Sequence, residues 1–208
     1  MSILTSKIGL SERARSPAVS GCLRKNRLMM MECSNCLSKR YSQIVILCED
    51  RQHEVFIRHY LKKRHSVTER QIRVVVCPEG RGAGEQYVRR EYPIQVMVLR
   101  QKRHLSKALV TMIDADTQMV SERLNQLVPL PQETEKIVRL VPKRNIETWI
   151  YYLNNDLSSV NETDTYRKLD KESACKPGVE KLVKFCITGL PADCLPSLQV
   201  GCIELHRL

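Results

Sequence analysis

Four short apolar runs constrain this chain more than any other feature: QIVILC (43–48), IRVVVC (72–77), ALVTMI (108–113) and KIVRLV (136–141). Each has the length of a strand and an apolar character that suits burial on both faces, which is the pattern of a parallel sheet. Helical spacing fills the gaps. Val55, Phe56, Tyr60 and Leu61 recur with helical period in EVFIRHYLKKR, and Val120, Leu124 and Leu127 do so after the third run. NIETWIYYLNN (145–155) reads as a helix after the fourth run, and 85–104 reads as a helix with a kink or break at Pro93.

The order β-α-β-α-β-α-β-α predicts the α/β class, with a mostly parallel four-stranded sheet flanked by helices and joined by right-handed crossovers. Residues 41–155 hold this pattern. Residues 156–175 are polar and turn-like, and two helical patches, 178–187 and about 194–206, make 156–208 a C-terminal helical extension packed on the same domain. Residues 1–40 are rich in Ser, Arg and Lys and lack sustained periodicity. They read as a basic extension: a disordered arm, a transit-like sequence, or a misassigned start ahead of the methionines at 29–31.

At 208 residues the chain is long enough for one domain with a real core, and its 42% hydrophobic content is that of a globular protein. No apolar stretch approaches the roughly 20 residues that span a bilayer, so a soluble protein and no membrane partner are expected. Residues 1–40 supply +6 of the formal +11, leaving +5 for the rest. That balance suits an anionic partner such as nucleic acid, and it equally suits a merely solvated basic surface. The nine cysteines are odd in number and follow no secretory signal, so reduced thiols in a cytoplasmic protein are expected. Cys33 and Cys36 form one C-x-x-C, but no second pair follows at zinc-site spacing, and a structural zinc is not expected.

Four carboxylates, Glu49, Asp114, Asp116 and Glu147, fall at or just beyond the ends of apolar runs. If those runs are parallel strands, the carboxylates gather on the carboxyl-end rim, where open α/β sheets keep their ligand sites. Like charges so gathered repel unless a hard cation such as Mg²⁺, with Mn²⁺ as a substitute, lies between them. Asp114-Ala115-Asp116 is the sharpest of these signals. A helix cap would account for one of its aspartates and leave the other without a reason. Asp50 suits the first turn of a helix electrostatically, and Glu54 either faces the same rim as a supporting residue or pairs with Arg58 at i+4. Lys143 and Arg144, beside Glu147, suit the neutralisation of phosphate oxygens, although a capped helix start at Asn145 explains the same segment.

The loop GRGAGE (80–85) is neither a Walker A motif nor G-x-G-x-x-G, yet its Arg81 could meet a phosphate. His53, His59, His65 and His104 read as surface residues of basic helices, and no Ser or Cys nucleophile accompanies them, so no triad is expected. Trp149 is expected in the core beneath the rim.

A strand-borne glutamate, a later strand-borne D-x-D and a third acid after another strand resemble the Toprim fold of topoisomerases, bacterial primases and OLD-family nucleases. The resemblance covers about residues 43–155. CEDRQHEVFIRHYL is similar to the E-G-x-x-E opening of OLD-type Toprim proteins. PKRNIETWI resembles the R-x-x-E-x-W segment of small stand-alone Toprim-like proteins found near bacterial defence genes. Asp50 departs from the pattern, standing where the family has a glycine.

The resemblance implies that Glu49 is the general acid/base or metal-bridging residue, that Asp114 and Asp116 bind metal, and that Glu147 is a further ligand. It implies a metal-dependent nuclease acting on DNA or RNA, with Lys143 and Arg144 on the scissile phosphate and a place in anti-phage defence. A Toprim-like binding subunit working with a partner ATPase is the alternative. DADT also echoes the D-x-D-x-T of haloacid-dehalogenase phosphatases, but its threonine comes one position early and it follows the third run instead of the first.

Overall fold

The computed structural model describes residues 41–78, 83–155 and 159–208. The four apolar runs form strands β1 (Gln43–Cys48), β2 (Ile72–Val76), β3 (Lys107–Met112) and β4 (Ile137–Leu140). All neighbours are parallel and the order is β2-β1-β3-β4. The α/β class with a four-stranded parallel sheet flanked by helices is therefore what the chain adopts. The helices are α1 (Arg51–His65), α2 (Gly84–Gln101), α3 (Val120–Gln126), α4 (Ile146–Asn154), α5 (Lys176–Thr188) and α6 (Pro196–Leu205). The expectations for 1–40 and for Arg81 lie outside the described residues.

Strand pleating sorts the core into two layers. Ile44, Ile46 and Cys48 of β1 and Ala108, Val110 and Met112 of β3 join one buried cluster with Phe56, Tyr60 and Trp149. Leu47 and Leu109 face the other way, onto Val88, Tyr92 and Val96 of α2. The helix after β1 thus lies on one face and the helix after β2 on the other. The loops leaving β1 and β3 diverge, and a crevice opens between their carboxyl ends. Sheets of this order hold their ligands at such a switch point.

Three sequence expectations are corrected here. α2 runs unbroken through Pro93, because the imino ring removes one donor while Val88, Tyr92 and Val96 stay buried along the helix and hold it to the sheet. The cysteines are not all reduced: Cys186 of α5 and Cys202 of α6 form a disulfide with Cα atoms 5.9 Å apart, while Cys48, Cys77, Cys175 and Cys194 are free. His65 is a buried side chain, not a surface one.

The C-terminal helices complete the domain. α6 fits against Trp149 through Gly201, where a Cβ would come within 2.5 Å of the indole. Ser197 accepts a 2.7 Å hydrogen bond from the buried Trp149 Nε1. Glu204 accepts one from the Arg139 backbone N–H at 2.9 Å, satisfying a donor on the outer side of edge strand β4. Among the described residues, no helix is long and apolar enough to cross a membrane.

Candidate active site at the carboxyl end of the sheet

Glu49 follows β1 directly, Asp114 stands two residues beyond β3, and the two meet across the crevice. The Asp114 backbone N–H donates to Glu49 Oε1 at 2.6 Å. Behind Glu49, the first turn of α2 presses in through Gly84, where a Cβ would lie 2.8 Å from the Glu49 Cβ. Only glycine permits that approach. Glu147, in the first turn of α4, is 3% exposed and close enough to feel the charges of Asp114, His53 and Asp50.

His53, expected at the surface, is completely buried and bonds Asp114 Oδ1 through Nε2 at 3.0 Å. Its Nδ1 lies 3.6 Å from Asp50 Oδ1 and has no hydrogen-bond partner among the described residues. Asp50 caps α1 by accepting from the His53 backbone N–H at 3.0 Å. The helical period that placed Phe56, Tyr60 and Leu61 inward also puts His53 on that face, and this was the signal available in the sequence.

The electrostatics follow from burial and crowding. Burial opposes the charge on His53, but Asp114, Asp50 and Glu49 outweigh it and push its pKa up to about 9. Burial, with the nearby charges of Asp114 and Asp116, raises Glu49 to about 7, although His53 and the Asp114 N–H pull the other way. Glu147 and Asp116 are also raised, each by burial first and then by Asp114.

Asp116 departs from the other three. Its side chain is 60% exposed, and Arg123, only 2% exposed, reaches its Oδ2 at 3.4 Å while also pairing with Glu85 at the start of α2. Its backbone N–H bonds the Arg144 carbonyl at 2.9 Å, and the two residues sit in the left-handed region at φ 50° and 66°. Non-glycine residues held there cost about 1–3 kcal/mol each, and such outliers cluster at functional sites. Arg123 was missed in the sequence, although it lies one helical turn before the buried Leu127.

The basic pair has local partners. Lys143 Nζ donates to the carbonyls of Thr117 and Gln118 at 3.4 and 2.5 Å, clasping the loop that carries Asp116. Arg144 donates to Thr165 Oγ1 at 2.6 Å. Glu54 takes the ion-pair option, meeting Arg51 at 2.5 Å and Arg58 at 2.6 Å. Among the described residues, no three His, Cys, Asp or Glu side chains are grouped so as to hold a metal ion. Known protein families, curated protein sequences and solved structures yield no match to this chain.

Proposed function

We propose that this domain is a Toprim-like, metal-dependent nuclease that hydrolyses phosphodiester bonds of DNA or RNA. The observation that carries the reading is the meeting of Glu49 and Asp114 at the switch point, with Glu147 buried beside them and Asp116 on the adjoining turn. The donor set suits Mg²⁺ or Mn²⁺, being all carboxylate oxygen, and the pKa of Glu49, raised by burial first and then by the charges of Asp114 and Asp116, is one that a hard cation would lower. The side chains are not closed around one point, since Glu49 Oε1, Asp114 Oδ1 and Asp116 Oδ2 each have a protein partner. Glu49, Asp114, Asp116 and Glu147 would hold the cation through their remaining oxygens.

Such a cation supplies a water nucleophile at neutral pH and stabilises charge on the phosphoryl oxygens. The chain's own residues do the rest. His53 orients Asp114 from behind. Glu49 is suited to take or give a proton at the carboxyl oxygen that the cation leaves free. Lys143 holds the Asp116 turn in place, and an incoming phosphate would draw its ammonium and the Arg144 guanidinium from their present partners. The Toprim-like segments further suggest a place in phage defence.

The test is cleavage of plasmid and single-stranded substrates with Mg²⁺ or Mn²⁺, set against EDTA. A thermal melt on the same samples should show Mg²⁺ raising the melting temperature of the wild type but not of Asp114→Asn. A second reading, a non-catalytic subunit that works with a partner ATPase, is favoured by the lack of a closed metal constellation among the described residues and by Asp50 in the family's glycine position. An inactive wild type that does not respond to any divalent cation would select it.

A further inference from the structure

The opposite rim of the sheet has the reverse charge. Where β3 and β4 begin, a cleft of about 290 Å³ is lined by Arg100, Arg103, Lys107 and Lys136. It adjoins a smaller one lined by Arg73, Lys102 and Lys107, the two sharing Leu99 and Lys107. Among the described residues Glu135 is the single acid lining either cleft, and Arg100 engages it at 2.7 and 2.9 Å. Arg73, Lys102, Arg103, Lys107 and Lys136 have no carboxylate at ion-pair distance among the described residues. α2 ends here, and its negative dipole end accounts for one or two cations in its last turn, but not for the cations at the starts of β2, β3 and β4.

We propose that this amino-end cleft binds the phosphate backbone of a nucleic acid, without sequence preference and independently of the carboxylate rim. Its cations span β2 to β4, three strand spacings or about 14 Å, the axial length over which one strand of a duplex presents about four phosphates at about 3.4 Å of rise each. The cleft is concave, which suits a polymer backbone and not a planar bilayer. Among the described residues none that lines it is aromatic, and its cations are suited to phosphate contacts, which carry no sequence information.

The cleft and the candidate active site lie about one strand length apart, roughly 20 Å, so a bound strand would be anchored away from the carboxylates. The inference goes beyond the nuclease reading and does not depend on it. The experiment is run in EDTA, where cleavage is absent.

The full chain is titrated into fluorescent single-stranded and duplex oligonucleotides of mixed sequence, with anisotropy as the readout, between about 50 and 200 mM salt. The triple variant Lys102→Gln, Arg103→Gln, Lys136→Gln should bind about tenfold or more weakly, and its log–log salt slope should shrink by about 2–3, near 0.9 per lost phosphate contact. A control pair, Arg90→Gln with Arg167→Gln, should bind as the wild type does. Changing base composition should leave affinity within about twofold. A far-ultraviolet spectrum and melt confirm that the variant is folded, and the single variants Lys102→Gln and Lys136→Gln, each weakening binding in part, serve if the triple is not. Unchanged affinity and slope in the folded rim variants would overturn the proposal. So would an equal loss in the control pair. A rim variant that loses binding to phosphatidylserine vesicles or to polyglutamate while keeping nucleic acid would overturn it too.

Discussion

The two rims of one sheet handle charge in opposite ways. At the carboxyl end, Glu49, His53, Asp114 and Glu147 are partly or wholly buried, and three of them have displaced pKa values. At the amino end, Lys102, Arg103 and Arg73 are solvated, and like charges there interact weakly. The same four strands make both rims, so the difference comes from the connections. Helices α1, α2 and α4 begin at the carboxyl end and turn their positive dipole ends to the carboxylates, which partly offsets the crowding. Crowding beyond that offset works against folding. A fold places it where a ligand is to arrive, and the left-handed Asp116 and Arg144 lie on the same rim.

The largest effect that could break this contrast is on catalysis. Asp114→Asn should reduce Mg²⁺-dependent cleavage below detection, because an amide keeps the shape but loses the charge that binds a hard cation. Stability should change little, within about 1 kcal/mol, since relief of repulsion with Glu49 and Asp116 is set against loss of the His53 partner. Full activity in this variant would remove the carboxyl rim from the mechanism.

A second effect concerns pH. Folded Glu49 holds its proton up to about 7 in place of 4.5, and folded His53 up to about 9 in place of 6.5. In both windows the native state binds more protons than the unfolded chain, so stability falls as pH rises. The metal-free protein should therefore be most stable near the lower end and weaken steadily between pH 4.5 and 9, by at most about 1.4 kcal/mol per pH unit for each group. His53→Gln should remove the His53 contribution between pH 6.5 and 9, while the Glu49 window, no longer held down by the His53 charge, extends upward. Denaturant midpoints across the pH range measure both. A flat profile would mean the rim charges are screened, as they are at the other end.

Gly84→Ala probes the same rim sterically. Its Cβ would enter Glu49 at 2.8 Å, against side-chain and backbone carbon. The expected cost is about 1–3 kcal/mol, reduced by the better helix propensity of alanine, and cleavage should fall because Glu49 is displaced. Activity that holds at wild-type level would show that the placement of Glu49 by α2 is unimportant.

The contrast was half legible in the sequence. The strands could be read because runs such as QIVILC are apolar on both faces, and the carboxylates because each follows such a run. Periodicity assigns a residue to a face but not to a partner. His53 was therefore open to discovery as a buried residue, whereas its bond to Asp114, 61 positions away, depends on the strand order. Lys143 looked free for phosphate because the Thr117 and Gln118 carbonyls that it clasps belong to a loop whose path was unknown. The C-terminal extension carried no motif, since its work is done by Gly201 against Trp149 and by Glu204 on the edge of β4, contacts that need the sheet already in place. The amino-end cleft was scattered over Arg73, Lys102, Arg103, Lys107 and Lys136 and forms a patch only after folding.

The smallest expected effect sharpens the contrast most directly. Neutralising Lys102 and Arg103 together should change stability by no more than about 0.5 kcal/mol, because solvated cations without carboxylate partners contribute little. Relief of mutual repulsion among the rim cations is set against loss of their attraction to the carboxyl end of α2 and to Glu135, so the two nearly cancel, and what remains should vanish as salt rises and the Debye length falls to a few ångströms. Paired urea melts at low and high salt decide the matter. A loss above about 1 kcal/mol that persists in high salt would mean that these side chains support the end of α2 through their aliphatic stems. The amino end would then be structural, and the two rims would differ in degree and not in kind.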